Sequence, residues 1–300
     1  MTVATMSDAV VGEVAEEKKT AEIEVETHDR VKLVGEVGLL DKEVEKKGVE
    51  DILAALTDDE KSRLPDEHTA LRHLRGEKGD AAVATKKLKA TLQWRKEFGV
   101  EKLVKCFEEG GDEEMRNVMS LENKTGKCYV RGYDKEGRAV LYMRPVLENT
   151  KDEIGQMRHL VYNIERAIAC TKRKSGLEKY NIIIDYKGFR IRDAPPMSTT
   201  KHTLAILQNH YPESLYRAYL FNPPMIFRTF WTMIHPFLDP VTKKKILFCH
   251  GKAGLKEMGS KFDMKTVEEF TGGTAGALRG FDSQEYLTSP LFDRTFDDDE

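Results

Sequence analysis

Tyr211 to Ile246 reads YPESLYRAYLFNPPMIFRTFWTMIHPFLDPVTKKKI, and this stretch decides the fold. Pro223 and Pro224 open a helix, because a first helical residue needs no N–H donor. Eleven residues follow, Met225 to His235, of which seven are large and apolar: Met225, Ile226, Phe227, Phe230, Trp231, Met233 and Ile234. At 3.6 residues per turn they wrap past a single stripe. Pro236 stops the helix, and Asp239-Pro240 makes a turn. So apolar a helix in a polar chain needs apolar partners on two sides. The protein core can serve one side; a greasy ligand or a membrane can serve the other.

The same pattern extends outward. Leu220-Phe221 ends a strand before this helix, and Ile246 to Cys249 is a buried strand after it. Upstream, Tyr180 to Asp185 is a short apolar strand and Ser198 to His210 a helix. Lys127–Arg131 and Ala139–Met143 flank Asp134-Lys135-Glu136-Gly137, a turn signature, and so form a hairpin. Thr150 with Glu153 reads as a capping box. The helix it opens carries Ile154, Met157, Val161, Ile164 and Ile168 on one face. Strand–helix–strand order over 115–280 predicts an α/β fold, a mainly parallel sheet covered by helices.

Residues 49–112 read as helical. Asp80 caps a helix whose inward stripe is Ala84, Leu88, Thr91 and Leu92, with Trp94 and Phe98 beside it, and Gly99 stops it. Residues 1–48 contain no aromatic residue. The first fifty residues hold 13 acidic and 7 basic side chains. Such a segment buries little, so 1–48 is expected to be a disordered acidic segment that could recruit a protein partner. Residues 281–300 end in Asp297-Asp298-Asp299-Glu300 and are expected to be a second acidic tail.

The 40% apolar fraction supports a real core, and the 33% charged fraction a charged surface. A net charge of −3 gives no field that would steer the chain to nucleic acid. No apolar run is long enough to span a bilayer. Cys106, Cys128, Cys170 and Cys249 show no zinc spacing and read as reduced thiols, consistent with the cytoplasm.

Catalytic signatures are missing. There is no Gly-x-Ser-x-Gly, no His-Glu-x-x-His and no Gly-x-Gly-x-x-Gly after a strand. Gly251-Lys252-Ala253-Gly254 sits where a phosphate loop would, but lacks Gly-Lys-Ser/Thr and reads as a plain turn; Gly272-Gly273-Thr274 reads as a tight one. His73, His202, His210 and His235 are scattered and read as surface or satisfied core groups. No enzyme activity, cofactor or metal is expected. Burial of a ligand is the alternative to chemistry. Ile182 and Ile184 on one strand face, Leu204, Ile206 and Leu207 on the next helix, and Phe227, Phe230, Trp231 and Ile234 on the apolar helix are candidate lining. By periodicity alone they are equally an ordinary core. Lys243-Lys244-Lys245 alone is a solvated charge run, although Thr242 and Lys245 could together hold a phosphodiester.

The motifs add a resemblance. Tyr211-Pro212-Glu213, Asn222-Pro223-Pro224 and Pro236-Phe237-Leu238-Asp239-Pro240 running on to Thr242 and Lys245 resemble the hallmark of the CRAL-TRIO lipid-binding family. Leu71-Arg72-His73-Leu74-Arg75, Trp94-Arg95 and Phe98-Gly99 are similar to its N-terminal helical domain, and Gly272-Gly273-Thr274 to a late turn. The resemblance covers about residues 50–280. It implies a small all-α domain packed on an α/β lipid-binding domain whose gate helix opens at a membrane. It further implies a cytoplasmic carrier, peripheral at membranes, that binds one phospholipid, above all phosphatidylinositol, and exchanges it. In phosphatidylinositol-binding relatives, residues matching Glu213, Thr242 and Lys245 contact the inositol phosphate. Two positions depart from that pattern: Glu77 stands where a basic residue is usual, and Ser214 where arginine is frequent. Tyr180 and Ile182 replace the small hydroxyl residues that help hold phosphatidylcholine. A lipid-sensing adaptor, or a carrier of a sterol, tocopherol or carotenoid, is the alternative. Each methylene left in water costs about 0.8 kcal/mol, so extracting two acyl chains demands a lined cavity worth on the order of 20 kcal/mol.

Overall fold

The computed structural model describes residues 40–190, 194–225, 227–238, 240–275 and 281–292, apart from the side chains of Arg228 and Phe230. Residues 1–39 and 293–300 of the two expected acidic segments, together with Ile226 and Asp239, lie outside these residues. Residues 281–292, expected in the second tail, instead carry a short helix, Ser283–Thr288, whose Tyr286 and Leu287 are buried in the core. Among the described residues, no helix is long and apolar enough to cross a membrane.

The described residues begin with four helices: α1 (Lys42–Ala54), α2 (Asp58–Ser62), α3 (Thr69–Gly76) and α4 (Ala81–Phe98). Ile52, Leu56, Ala70, Leu74, Ala84, Leu88 and Leu92 form the common core of α1, α3 and α4, to which α2 contributes no buried residue. The stripe predicted for α4 is the buried one, Asp80 caps it through Val83 N–H, and Gly99 ends it at φ 77°. The boundary expected at residue 48 falls inside α1. Gly48 is buried there because a Cβ would lie 2.5 Å from Leu74 Cδ2. Helices α5 (Val100–Val104) and α6 (Glu113–Asn123) turn their apolar residues elsewhere: Val100, Leu103, Met115 and Met119 belong to the second, larger core.

That core surrounds a five-stranded sheet in the order β1–β5: Cys128–Tyr133, Ala139–Met143, Tyr180–Asp185, Leu215–Phe221 and Ile246–Cys249. The first pair is the predicted hairpin, in which Asp134 Oδ1 accepts from the N–H groups of Glu136 and Arg138 and Gly137 takes φ 88°. The other pairs are parallel. Their connections are α7 (Glu153–Ser175), α8 (Met197–His210), and the pair α9 (Phe227–Ile234) and α10 (Pro240–Lys244). Each steps one strand in the same direction, so right-handed crossovers place α7, α8 and α9 on one face. On that face, register aligns Leu141, Ile182, Ala218 and Ile246 in one row, and Met143, Ile184, Leu220 and Phe248 in the next. The opposite face carries Tyr142, Ile183, Tyr219 and Leu247, where Phe262 and Phe270 pack.

Five local expectations change. Asp152, not Thr150, caps α7, while the Thr150 hydroxyl donates to Glu122 Oε1 at 2.8 Å. Ile154 is exposed, because the first turn of α7 overhangs the core. Gly251–Gly254 is no turn but the start of helix α11 (Gly251–Lys261), and a Cβ at Gly254 would lie 2.8 Å from the Cys249 backbone. Strand β5 is an edge strand, half-buried except at Cys249. Pro240, expected in a turn, is the first residue of α10.

Candidate functional site

The α9 helix is eight residues long, too short to persist unaided. One stripe holds it: Phe227, Ile234 and the following Leu238 are buried, with Trp231 half-buried between them. Phe227 lies 4.5 Å from the Tyr186 ring and 6.2 Å from that of Phe248, and Trp231 meets Phe248 edge-on at 5.2 Å. Phe248 stands in the row of Ile184 and Leu220, so the helix covers the face bearing Ile182 and Ile184. Of the predicted lining, Ile182, Ile184, Leu207, Phe227 and Trp231 therefore share one apolar cluster. Ile234 continues the buried stripe; the side chain of Phe230 lies outside the described residues. On the outer side, Met225 is 83% exposed, with Met233, Phe237 and Val241 also open to solvent. Such a patch on one short segment marks an apolar interaction surface.

The other predicted residues gather at the opposite ends of the strands, where β4 and β5 begin. Glu213 precedes β4 and Lys245 precedes β5. Glu213 Oε2 accepts from Lys245 Nζ at 3.4 Å and from Lys179 Nζ at 2.6 Å. Burial works against the Glu213 charge, but Lys245 and Lys179 more than offset it and hold its pKa below the ordinary carboxylate value. The Thr242 carbonyl accepts from Lys245 N–H at 3.0 Å, which fixes the two residues side by side. Glu77 is ion-paired with Lys87, so its charge is offset locally. The Ser214 hydroxyl, 3.4 Å from the Pro212 carbonyl, carries no charge.

Strand β4 runs between these two ends. Glu213, before it, has φ 54°, and Asn222, after it, has φ 50°. Asparagine tolerates this left-handed region better than most residues. Its Nδ2 donates to Asp185 Oδ1 at 2.9 Å, so the chain leading into α9 is tied to the end of β3. Seven residues of strand at about 3.3 Å each separate a charged end from an apolar one by roughly 23 Å.

The helical unit meets the charged end. Trp94 stacks on His210 at 4.1 Å and meets Tyr211 edge-on at 6.1 Å. Tyr211 OH and Arg95 NH1 both donate to Glu165 Oε1 at 2.7 Å. His73 and His210 both contact the Thr91 hydroxyl. Burial, helped by nearby His73 and Arg95, pushes His210 down to about 4, and burial also lowers His73. Both are satisfied core groups, as the sequence suggests; His202 and His235 are exposed.

Sequence reasoning missed Lys179, Tyr186, Phe248 and the Asp185–Asn222 tie. Lys179 sits beside an acidic residue at the start of a strand, which reads as solvated charge. Its proximity to Glu213 follows only from the pairing of β3 with β4.

Residues 123–273 match the CRAL/TRIO domain, and the chain belongs to that family. The phosphatidylinositol transfer protein PDR17 of Saccharomyces cerevisiae is 37% identical over 183 residues, 59% of this chain. The chain spans about half of that relative's length, 51%. The SEC14 cytosolic factor of Candida glabrata is 32% identical over 236 residues, 71% of this chain and 75% of that protein. Among solved structures, Sfh5 shares the fold with a TM-score of 0.53 at 19% identity, over 70% of this chain and 81% of that one.

Proposed function

We propose that the chain is a lipid-transfer protein that binds one phospholipid, phosphatidylinositol by preference, and exchanges it at membranes from the cytosol. The observation that carries this reading is the polarity along β4. A charged Glu213–Lys245 pair stands at one end, and a short apolar helix, hinged at Asn222, at the other. An amphiphile about as long as the strand, head at the lysine and chains under α9, matches that polarity. The stripe of Phe227, Trp231 and Ile234 closes over the sheet, and replacing their contacts with acyl chains needs α9 to move. The exposed Met225, Met233, Phe237 and Val241 give the moving helix an apolar surface to lay on a bilayer. PDR17 is named a phosphatidylinositol transfer protein and the Candida glabrata relative a cytosolic factor, which supports both the ligand and the compartment. The act is physical and needs no covalent step.

Native mass spectrometry of the purified protein tests this directly. One phospholipid per chain is expected, phosphatidylinositol enriched over its share of the lipid supplied. Protein that carries no lipid after incubation with vesicles, and moves none between vesicles, would refute the reading.

A further inference from the structure

The two edges of the sheet are finished differently. Strand β5 is mostly half-buried, whereas β1, the other edge, has five of its six residues buried. An edge strand presents a row of N–H and C=O groups to which another strand can pair. In β1 the phase of that row is fixed. Arg144 N–H donates to the Lys127 carbonyl at 2.8 Å, and bonded and non-bonded pairs alternate along an antiparallel ladder. Lys127 and Tyr129 therefore bond to β2, while Cys128 and Val130 turn their amides outward.

Residues 281–292 cover that row. They lie beyond the matched residues 123–273 and contain the helix α12 (Ser283–Thr288). Val130 N–H donates to Tyr286 OH at 2.8 Å, so the amide that would meet a further strand is taken by a side chain. The same hydroxyl donates to Asn163 Oδ1 at 2.7 Å. Phe281 lies 5.0 Å from the Tyr129 ring and against Gly126, where a Cβ would come within 2.9 Å of Phe281 Cδ1. Asn123 Nδ2 donates to Ser283 Oγ at 3.0 Å.

One side chain anchors the segment. Arg166, on α7, is fully buried, and its guanidinium has five N–H groups to satisfy. Nε donates to the Leu291 carbonyl at 3.2 Å. Nη1 donates to the Tyr286 carbonyl at 2.6 Å and to Tyr162 OH at 3.4 Å. Nη2 donates to the carbonyls of Ser289 and Pro290 at 2.9 and 3.0 Å. Its Cζ lies 4.1 Å from the Tyr286 ring centroid. Four of the five bonds thus end on backbone carbonyls of residues 286–291. A buried charge without partners is costly, so this segment stays in place whole or leaves whole.

We infer that residues 281–292 are a strap that locks the β1 edge. Held by Arg166, they keep β1 from pairing with β1 of a second copy of this chain, and they open as a unit apart from the rest of the sheet. Two identical edges can meet about a twofold axis, because antiparallel pairing of a strand with its own copy is self-complementary.

The test uses the full chain, wild type and with Tyr286→Phe or Arg166→Met, read by native-state hydrogen exchange and by sedimentation at several concentrations. Tyr286→Phe keeps the ring and removes the hydroxyl, so the Val130 amide should exchange roughly tenfold faster. Arg166→Met should speed exchange of the Tyr286 and Leu287 amides at least about a hundredfold, while Ile183 and Tyr219 keep their protection. It should also bring concentration-dependent dimers in which the Val130 amide is protected again. If Arg166→Met does not fold, Arg166→Lys keeps the charge without the fork and should show the same changes in smaller measure. A strap that opens without dimers overturns the lock and leaves the proposed function standing. Protection lost evenly from Tyr286 to Ile183 would make the segment ordinary core and overturn it as well. So would a Val130 amide unmoved by Tyr286→Phe, or dimers in which that amide stays unprotected.

Discussion

Phe227→Ala asks whether α9 opens as a unit of its own. Phe227 is 2% exposed and packs on Tyr186, Phe248 and Trp231. Truncating a buried phenylalanine to alanine costs about 3–5 kcal/mol. Among the described residues, the segment after Asn222 is also fastened by Gln208 Nε2, which donates to the Phe237 carbonyl at 2.6 Å, and by Lys201, whose Nζ lies 4.6 Å from the Phe237 ring centroid. If α9 opens locally, the lost energy comes from the closed state of this segment alone. At about 1.4 kcal/mol per factor of ten, the open population rises by roughly two to three and a half orders of magnitude. Native-state hydrogen exchange reads this residue by residue. Amides of 229–238 should exchange at least about a hundredfold faster. Amides of Ile183 and Tyr219, at the centre of the sheet, should keep their protection, and the thermal midpoint should fall only slightly. Lipid transfer between vesicles should lose its dependence on the acceptor membrane. The reasoning fails if the gate amides stay as protected as Ile183 while the whole protein loses about 3–5 kcal/mol in urea unfolding, because Phe227 would then be ordinary core.

Lys245→Ala should weaken binding of phosphatidylinositol about tenfold or more while sparing the fold, because Lys179 still pairs with Glu213; equal affinity of wild type and variant would remove Lys245 from the site. Trp231→Asp should give a folded protein that carries no lipid, since a carboxylate cannot lie between Phe248 and acyl chains. Loss of the melting transition by circular dichroism would instead mark Trp231 as packing. Acid should destabilise the fold well before the carboxylates titrate. Burial holds His159 down to about 3, and burial with nearby His73 and Arg95 holds His210 down to about 4, against about 6.5 in the unfolded chain. As pH falls from about 6.5 towards 4, the unfolded chain takes up protons that the folded one refuses, and stability drops by up to about 1.4 kcal/mol per pH unit for fully buried His159 and by less for half-buried His210, where solvent screens the effect. Urea midpoints that stay flat between pH 7 and 5 would contradict this.

Features coded by neighbours in sequence were legible. The strand Tyr180–Asp185, the α4 stripe with its Asp80 cap, and the helix between Pro224 and Pro236 each depend on period or on a cap within a few residues. The helical start at Lys42 was hidden because composition averaged over 48 residues masks one short amphipathic helix resting on Leu74. The cap of α7 went to Asp152 because Glu122, 28 residues upstream, claims the Thr150 hydroxyl. Gly254 looked like a turn residue, yet it is glycine so that α11 can approach the Cys249 backbone. Of the site, Glu213 and Lys245 were legible through their motifs, whereas Lys179 depends on strand pairing and no local pattern announces it.

The two ends of the proposed site differ in how they are built, and this bears on which end reads the lipid. Trp94-Arg95 and Tyr211 lie more than a hundred residues apart, yet they form one contact around Glu165 and His210. Two residues after Tyr211 comes Glu213. Arg72, on the same helical unit, holds Glu178 beside Lys179. Gly76 closes the set, since a Cβ there would stand 3.2 Å from Pro212 Cβ. The charged end is therefore a joint product of the helical unit and the sheet, braced from both sides by buried ion pairs and stacked rings. The apolar end is held differently among the described residues: a two-turn helix, one stripe of rings and aliphatic side chains, the Gln208–Phe237 bond and the Asn222–Asp185 tie. Discrimination needs groups held in place before the ligand arrives. Entry needs a segment whose opening costs little. Under the proposed function the first task falls to the Glu213 end and the second to α9, so a lipid entering past α9 would meet a head-group site already set, and exchange would not need to disturb it.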